Sequence, residues 1–288
     1  MNPGILGLIT ALCWGTGDFA ARYTSRAIGP AQTLLVLFGV STLAMAPLVL
    51  SGNLDLLWEP ATLALSLGAG FVTTIAVLLL FMSLAHGPIG VVVPVTSSYP
   101  LPLILITMAM GKLSLSLPLS LAMVATIGGV WIVARAGKNI DYQDHARGPI
   151  GRAVILAGTT AIIFSVAVLL TEAAVSRAGE IEVVWFTRAV GFVTLIVFLG
   201  LGKRLSPISG RIWLLLIAMG LVDMAGYIAL FTAHGTGDTA IAAVTSATYG
   251  VVTIGLARII LKEPVRPLQW FGFIIVIVGA ASLILLNN

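Results

Sequence analysis

Charge is scarce in this chain. Only 9% of its 288 residues are Asp, Glu, Lys or Arg, and they gather in short stretches between long apolar runs. A water-soluble domain covers itself with charge, so a scarcity this deep excludes one. Cysteine is almost missing: Cys13 stands alone, which excludes an intrachain disulfide and a cysteine-based metal cluster. The three histidines, His86, His145 and His234, fall in turns or loops. Neither a His-Glu-x-x-His zinc motif nor a Walker loop is present, so no metal site, no cofactor and no direct ATP drive by this chain are expected. Long polar loops are lacking too. The longest polar stretch has 16 residues between Arg135 and Arg152, too few for an extramembrane domain.

What fills the chain is apolar. Hydrophobic residues make up 59%, mean hydropathy is +1.09, and apolar stretches of bilayer-crossing length recur with short gaps. Ten spans are predicted, near 3–21, 31–50, 61–85, 89–110, 115–134, 152–174, 181–201, 211–233, 238–261 and 267–286. Turn chemistry separates them at Ile28-Gly29-Pro30, Ser51-Gly52-Asn53, His86-Gly87-Pro88, Gly111-Lys112, Gly235-Thr236-Gly237 and Glu263-Pro264. The first segment lacks a basic leader and is expected to stay as a helix of the mature protein. The expected fold is an all-α polytopic membrane protein, with the stretch 139–150 dividing the spans five and five into repeats 1–138 and 151–288.

Basic residues set orientation, because short loops rich in Lys and Arg stay cytoplasmic. Arg22, Arg26, Arg135, Lys138, Arg147, Arg152, Lys203, Arg204, Arg211, Arg258, Lys262 and Arg266 fall on one side, and only Lys112 and Arg177 on the side of the termini. Both termini are therefore expected outside. The formal charge of +4 reports topology, and no nucleic-acid partner is needed to explain it.

The two halves resemble each other at a constant offset of 150 residues. Gly70 then aligns with Gly220, Phe81 with Phe231, Gly87 with Gly237, Tyr99 with Tyr249, Lys112 with Lys262 and Gly129 with Gly279. Five spans per half is an odd number, so the second copy must enter the membrane from the opposite side. Inverted repeats of this kind enclose a central cavity near the midplane, and helices broken by Gly or Pro at matching positions point to the binding site. Val95-Thr96-Ser97-Ser98-Tyr99-Pro100 and Val244-Thr245-Ser246-Ala247-Thr248-Tyr249-Gly250 are such a pair.

Trp14-Gly15 in the first span, His86-Gly87-Pro88-Ile89-Gly90 before a proline-broken helix, Arg188 in the seventh span and Leu261-Lys262-Glu263-Pro264 after the ninth resemble the drug/metabolite transporter superfamily. More narrowly, the chain is similar to two tandem EamA-type repeats, as in bacterial exporters of amino acids and related metabolites, including the aromatic amino-acid exporter branch. The resemblance implies a multi-pass protein of the bacterial inner membrane whose partners are the lipid bilayer and a small-molecule substrate. The first half carries Phe38 opposite Arg188 and Leu113 opposite Glu263, so only the second half can supply those charges.

Ionisable residues inside spans face the bundle interior or water. Arg188 could hold a substrate carboxylate through a bidentate fork, pair structurally with Glu172 or Asp223, or snorkel outward. Asp223, near the midplane, could receive an ammonium or a coupling proton, or a helix-packing bond. Asp18 and Glu172 are expected near span ends in solvated positions. Thr96, Ser97, Ser98 and Tyr99 with Thr245, Ser246, Thr248 and Tyr249 are expected to line the cavity, the alternative being hydroxyls bonded back to their own helix. Trp14, Phe164, Trp185 and Tyr227 would add aromatic walls suited to a flat or apolar solute, while Trp58, Trp213 and Trp270 near span ends read as interfacial belts.

Gly15-Thr16-Gly17-Asp18 and Gly235-Thr236-Gly237-Asp238 imitate an aspartyl-protease signature, but the two carboxylates belong near opposite faces and cannot share a proton. The expectation is a non-enzymatic secondary transporter, working as a monomer, that exports small amphipathic metabolites, above all amino acids with aromatic or large apolar side chains. Export of cationic drugs is the alternative within the superfamily, and a membrane enzyme or scaffold for lipid-linked substrates the alternative outside it.

Overall fold

Proline fixes where many of the helices start, because its missing N–H is one of the orphan donors of a first turn. In the computed structural model, which describes residues 2–50, 54–111, 116–137, 149–200, 205–233, 239–263 and 265–286, five helices begin on one: α1 Pro3–Ile28, α2 Pro30–Leu50, α3 Pro60–His86, α5 Pro100–Ala109 and α12 Pro267–Leu286. The others are α4 Ile89–Thr96, α6 Leu117–Gly137, α7 Ile150–Ala178, α8 Glu180–Gly200, α9 Gly210–Thr232, α10 Thr239–Ser246 and α11 Tyr249–Ile260. Asn2 caps α1, its side chain accepting from the Gly4 amide at 2.8 Å. Gly29 ends α1 at φ 90° and Gly179 ends α7 at φ 89°, positions that are 150 residues apart and that a side chain would strain.

Among the described residues, eight helices are long and apolar enough to cross a bilayer, counting α4–α5 and α10–α11 as one broken span each. Shorter apolar helices within α6 and α12 complete ten. The helices run past the lengths the sequence suggests: α1 continues to Ile28 and α7 to Ala178. Trp58, Trp213 and Trp270 are exposed near helix ends, as belts require. The basic residues Lys112, Lys138, Arg147, Lys203 and Arg204, the stretches 51–53 and 234–238 with His234 and Asp238, and Leu113, His145 and Pro264 lie outside the described residues.

Contacts between the repeats come in reciprocal pairs. A Cβ on Gly70 would lie 2.8 Å from Cβ of Val190, and one on Gly220 would lie 2.7 Å from Cβ of Val40. Val40 and Val190 are themselves counterparts, so the same glycine notch seats α3 on α8 and α9 on α2. Small residues allow this backbone approach, which lipid-embedded helices need because no hydrophobic force drives them together. Gly129 and Gly272 repeat the device between α6 and α12: a Cβ on either would fall 2.9 Å from the other's carbonyl oxygen. These two helices pair closely and touch the rest mainly through α4, α10 and α1.

The symmetry is incomplete. α3 packs on α7 more extensively than its counterpart α9 packs on α1, and α1 lies more closely on α10 and α11 than α7 does on α4 and α5. The two repeats therefore hold different conformations.

Candidate functional site

The spans formed by α4–α5 and α10–α11 break at matching points. Residues 97–99 form a turn before Pro100, and residues 247–248 one before Tyr249, tightened by three-residue bonds such as Tyr99 N–H to the Thr96 carbonyl at 3.2 Å. Pro100 supplies no amide to carry the ladder through. Each break presents a tyrosine to the other repeat. The Tyr99 phenol meets Ser246 Oγ at 2.6 Å and donates to the Ala243 carbonyl at 3.1 Å. The Tyr249 phenol donates to Thr96 Oγ1 at 2.8 Å. Thr96 and Ser246 are themselves 150 residues apart, so the two bonds are one contact made twice, crossing between the broken helices.

Around this crossing lies a cavity of about 630 Å³ of space between atoms, its mouth included. Six aromatic rings wall it: Trp14 from α1, Phe81 from α3, Tyr99 and Tyr249 from the breaks, Phe164 from α7 and Tyr227 from α9. Their centroids sit 5.0 Å apart for Trp14–Tyr227 and Phe164–Tyr99, 5.5 Å for Trp14–Phe164 and 6.2 Å for Trp14–Tyr249, mostly edge to face. Gly226 admits the indole against α9, since a Cβ there would come 2.8 Å from Trp14 Nε1. Among the described residues, that Nε1 is buried without an acceptor.

The charges in the lining are both acidic: Asp18 from α1 and Asp223 from α9. Asp18 is 8% exposed and, among the described residues, meets no hydrogen-bond or ion-pair partner. The expectation of a solvated Asp18 is thus corrected. Because α1 runs seven residues past 21 to Ile28, Asp18 lies inside the span, one turn from Trp14 and on the same face.

Arg188 is fully buried behind this wall rather than in the lining. Its Nε lies 3.0 Å from Asp223 Oδ2, but the N–H is not aimed along that line, so the two form an ion pair without a hydrogen bond. The guanidinium carbon sits 3.7 Å from the Tyr227 ring centroid and 4.9 Å from that of Phe38. Among the described residues, Nη1 and Nη2 have no hydrogen-bond partner. Phe38 and Arg188 are counterparts in the two repeats, and they touch.

Of the other residues expected at the site, the alternative reading holds for four. Ser97 and Ser98 bond back to the Val93 and Val95 carbonyls, Thr245 to Ile241 and Thr248 to Thr245, and none of the four lines the cavity. Trp185 donates from Nε1 to the Thr42 carbonyl at 3.1 Å and is also outside the lining. Ser246 stays at the site only through Tyr99. Residues not put forward as site candidates, among them Cys13, Gly17, Leu37, Phe81, Thr160 and Met219, do face the cavity. For α1 the signal was its 13-14-17-18 face; for the apolar ones none was present.

Changing Tyr99 to Phe removes a bond of about 1 kcal/mol without orphaning its partner, since Ser246 Oγ still bonds the Ala243 carbonyl at 2.9 Å. Tyr249→Phe leaves Thr96 bonded to Val93 in the same way. The two single variants are expected to lose similar stability, and the double variant to depart from additivity by about 0.5 kcal/mol or more in detergent unfolding, because both bonds join the same two segments. Strict additivity would show that the crossing is not one unit.

A solved structure described only as a crystal structure of a protein is 17% identical over 99% of this chain and 97% of its own, with a TM-score of 0.75; it shares the fold. No curated protein matches the sequence. The profile of the EamA-like transporter family matches twice, over residues 2–135 and 151–285. These matches take in almost all of the chain and both broken spans, which removes the enzyme alternative: this multi-pass membrane protein belongs to the EamA-like transporter family, as a tandem of two EamA domains.

Proposed function

We propose that the chain exports small amphipathic amines, above all amino acids with aromatic or large apolar side chains, by alternating access between its two repeats. The observation that carries this reading is the unpaired Asp18 carboxylate in a cavity walled by six aromatic rings. An ammonium group satisfies such a carboxylate and gains from the ring faces beside it. A flat or apolar side chain fills the remaining space against Trp14, Phe164 and Tyr227. Behind Tyr227, the buried Arg188 pairs with Asp223 and leaves Nη1 and Nη2 without hydrogen-bond partners among the described residues, a positive charge that a zwitterion's carboxylate meets only when Tyr227 moves aside, while its ammonium stays on Asp18.

A second reading has an observation of its own. The lining is acidic and the guanidinium stands behind it, which suits a lipophilic cation without a carboxylate. Counterflow in proteoliposomes separates the two, with labelled aromatic amino acids in one arm and organic cations in the other, with and without a pH gradient. Movement of the amino acids supports the first reading. Movement of cations alone replaces it with the second, and movement of neither removes both. The basic-residue count supports both termini outside a bacterial inner membrane, and two repeats in one chain support a functional monomer.

A further inference from the structure

We propose that the buried Arg22–Glu263 pair is a lock that closes the cavity towards the basic face of the membrane and must open in each transport cycle. Arg22 lies on α1 one turn beyond Asp18. Its Nη1 reaches Glu263 Oε1 at 2.5 Å, with the side chains only 4% and 3% exposed. The other carboxylate oxygen, Oε2, accepts the Gly90 amide at 3.3 Å, in the first turn of α4, where a carboxylate is favoured by the helix dipole. Glu263 belongs to the second repeat, and Arg22 and Gly90 to the first. The lock therefore ties the repeats together immediately below the cavity.

The backbone turns sharply just before this contact. Lys262, just before Glu263, has φ 56°, and among the described residues it is the one non-glycine residue in the left-handed region. It follows the C-cap of α11, where a left-handed residue closes a helix and the Glu263 amide donates back to the Ala257 carbonyl at 3.3 Å; the chain leaving this turn carries Glu263 to Arg22. The pair also has no counterpart. The residues 150 positions away are Glu172 and Leu113, which cannot make an ion pair. Alternating access in an inverted repeat exchanges the conformations of the two halves. Reciprocal contacts, such as the crossed tyrosines, map onto each other in that exchange and can persist. A contact without a counterpart belongs to one state, so opening the basic face must part Arg22 from Glu263.

This inference rests on alternating access but not on the substrate. Cys13, the sole cysteine, lines the cavity and is half-buried, so its labelling by a membrane-impermeant thiol reagent reports access from either face of oriented vesicles. Glu263→Gln keeps an acceptor for Gly90 and removes the ion pair. Labelling from the basic face is expected to rise about tenfold, the effect of shifting the closed–open balance by a decade, with no rise from the opposite face. An unchanged rate in the folded variant overturns the lock. Should that variant not fold, Arg22→Cys with Glu263→Cys in a Cys13→Ser background can be bridged by a short bis-methanethiosulfonate. Bridging is expected to cut transport at least about tenfold, with recovery on reduction; undiminished transport while bridged overturns the proposal. If no candidate substrate moves in the unmodified protein, the substrate reading fails while the labelling result still decides the lock.

Discussion

Arg188→Met should destabilise the protein by about 3–5 kcal/mol, because removing one member of a buried ion pair leaves the other charge uncompensated. The guanidinium that disappears is fully buried, 3.0 Å from Asp223 and packed on Tyr227. Replacing both partners, Arg188→Met with Asp223→Leu, should return most of that stability, since an apolar pair of similar volume avoids the desolvation of two charges. Unfolding in detergent measures both. Transport should not return with stability: the double variant has lost the Asp223 carboxylate of the lining and the guanidinium that a zwitterion's carboxylate would meet behind Tyr227, and amino-acid counterflow should stay near background. A double variant that is stable and moves amino acids at the original rate would make the pair purely structural. A neutral Arg188→Met would contradict the burial itself.

The reason to expect a functional role is the incomplete satisfaction of that arginine. A buried guanidinium normally spends its donors on carboxylates or carbonyls, and an unmade bond costs about 1–3 kcal/mol per group. Stacking on Tyr227 offsets part of this. Nη1 and Nη2 remain without partners, a cost that a structural ion pair would have no reason to keep.

The framework was legible in the sequence because lipid makes composition decisive: only a helix satisfies its own backbone there, so long apolar runs with Gly and Pro punctuation become spans. The offset of 150 was legible at residues that now prove to make the same contact twice: Gly70 on Val190 and Gly220 on Val40, Tyr99 on Ser246 and Tyr249 on Thr96. What each tyrosine bonds to was not legible, since Thr96 and Ser246 are two hydroxyls among many and only the crossing selects them. Ser97, Ser98, Thr245 and Thr248 look alike on paper, yet a hydroxyl in a helix can always return to a carbonyl of its own previous turn, and these four do. Asp18 was misplaced because an apolar run marks where lipid begins and not where a helix ends. The polar last turns of α1 continue to Ile28, which moves Asp18 from an end towards the middle.

That displacement gives Asp18→Asn its expected effect. The substitution is close to isosteric, so the packing around Trp14 should survive. Stability should hold or rise, because a carboxylate without a partner in an apolar wall is costly and the amide is less so. Binding should respond in the opposite direction. An ammonium about 4 Å from a carboxylate gains about 4 kcal/mol at an effective dielectric constant near 20, of which desolvation removes a part. A net loss of about 1.5–3 kcal/mol weakens binding by roughly 10- to 100-fold. Equilibrium binding to the purified protein reads this directly, and a desamino analogue of the same substrate should bind the original protein and Asp18→Asn alike. Equal affinity of both proteins for the amine would take Asp18 out of the site. A large fall in stability would instead make it a packing residue whose partner forms only in another state. The opposite signs for Asp18 and Arg188 on stability, with the same sign on transport, separate a charge waiting for a ligand from a charge already paired.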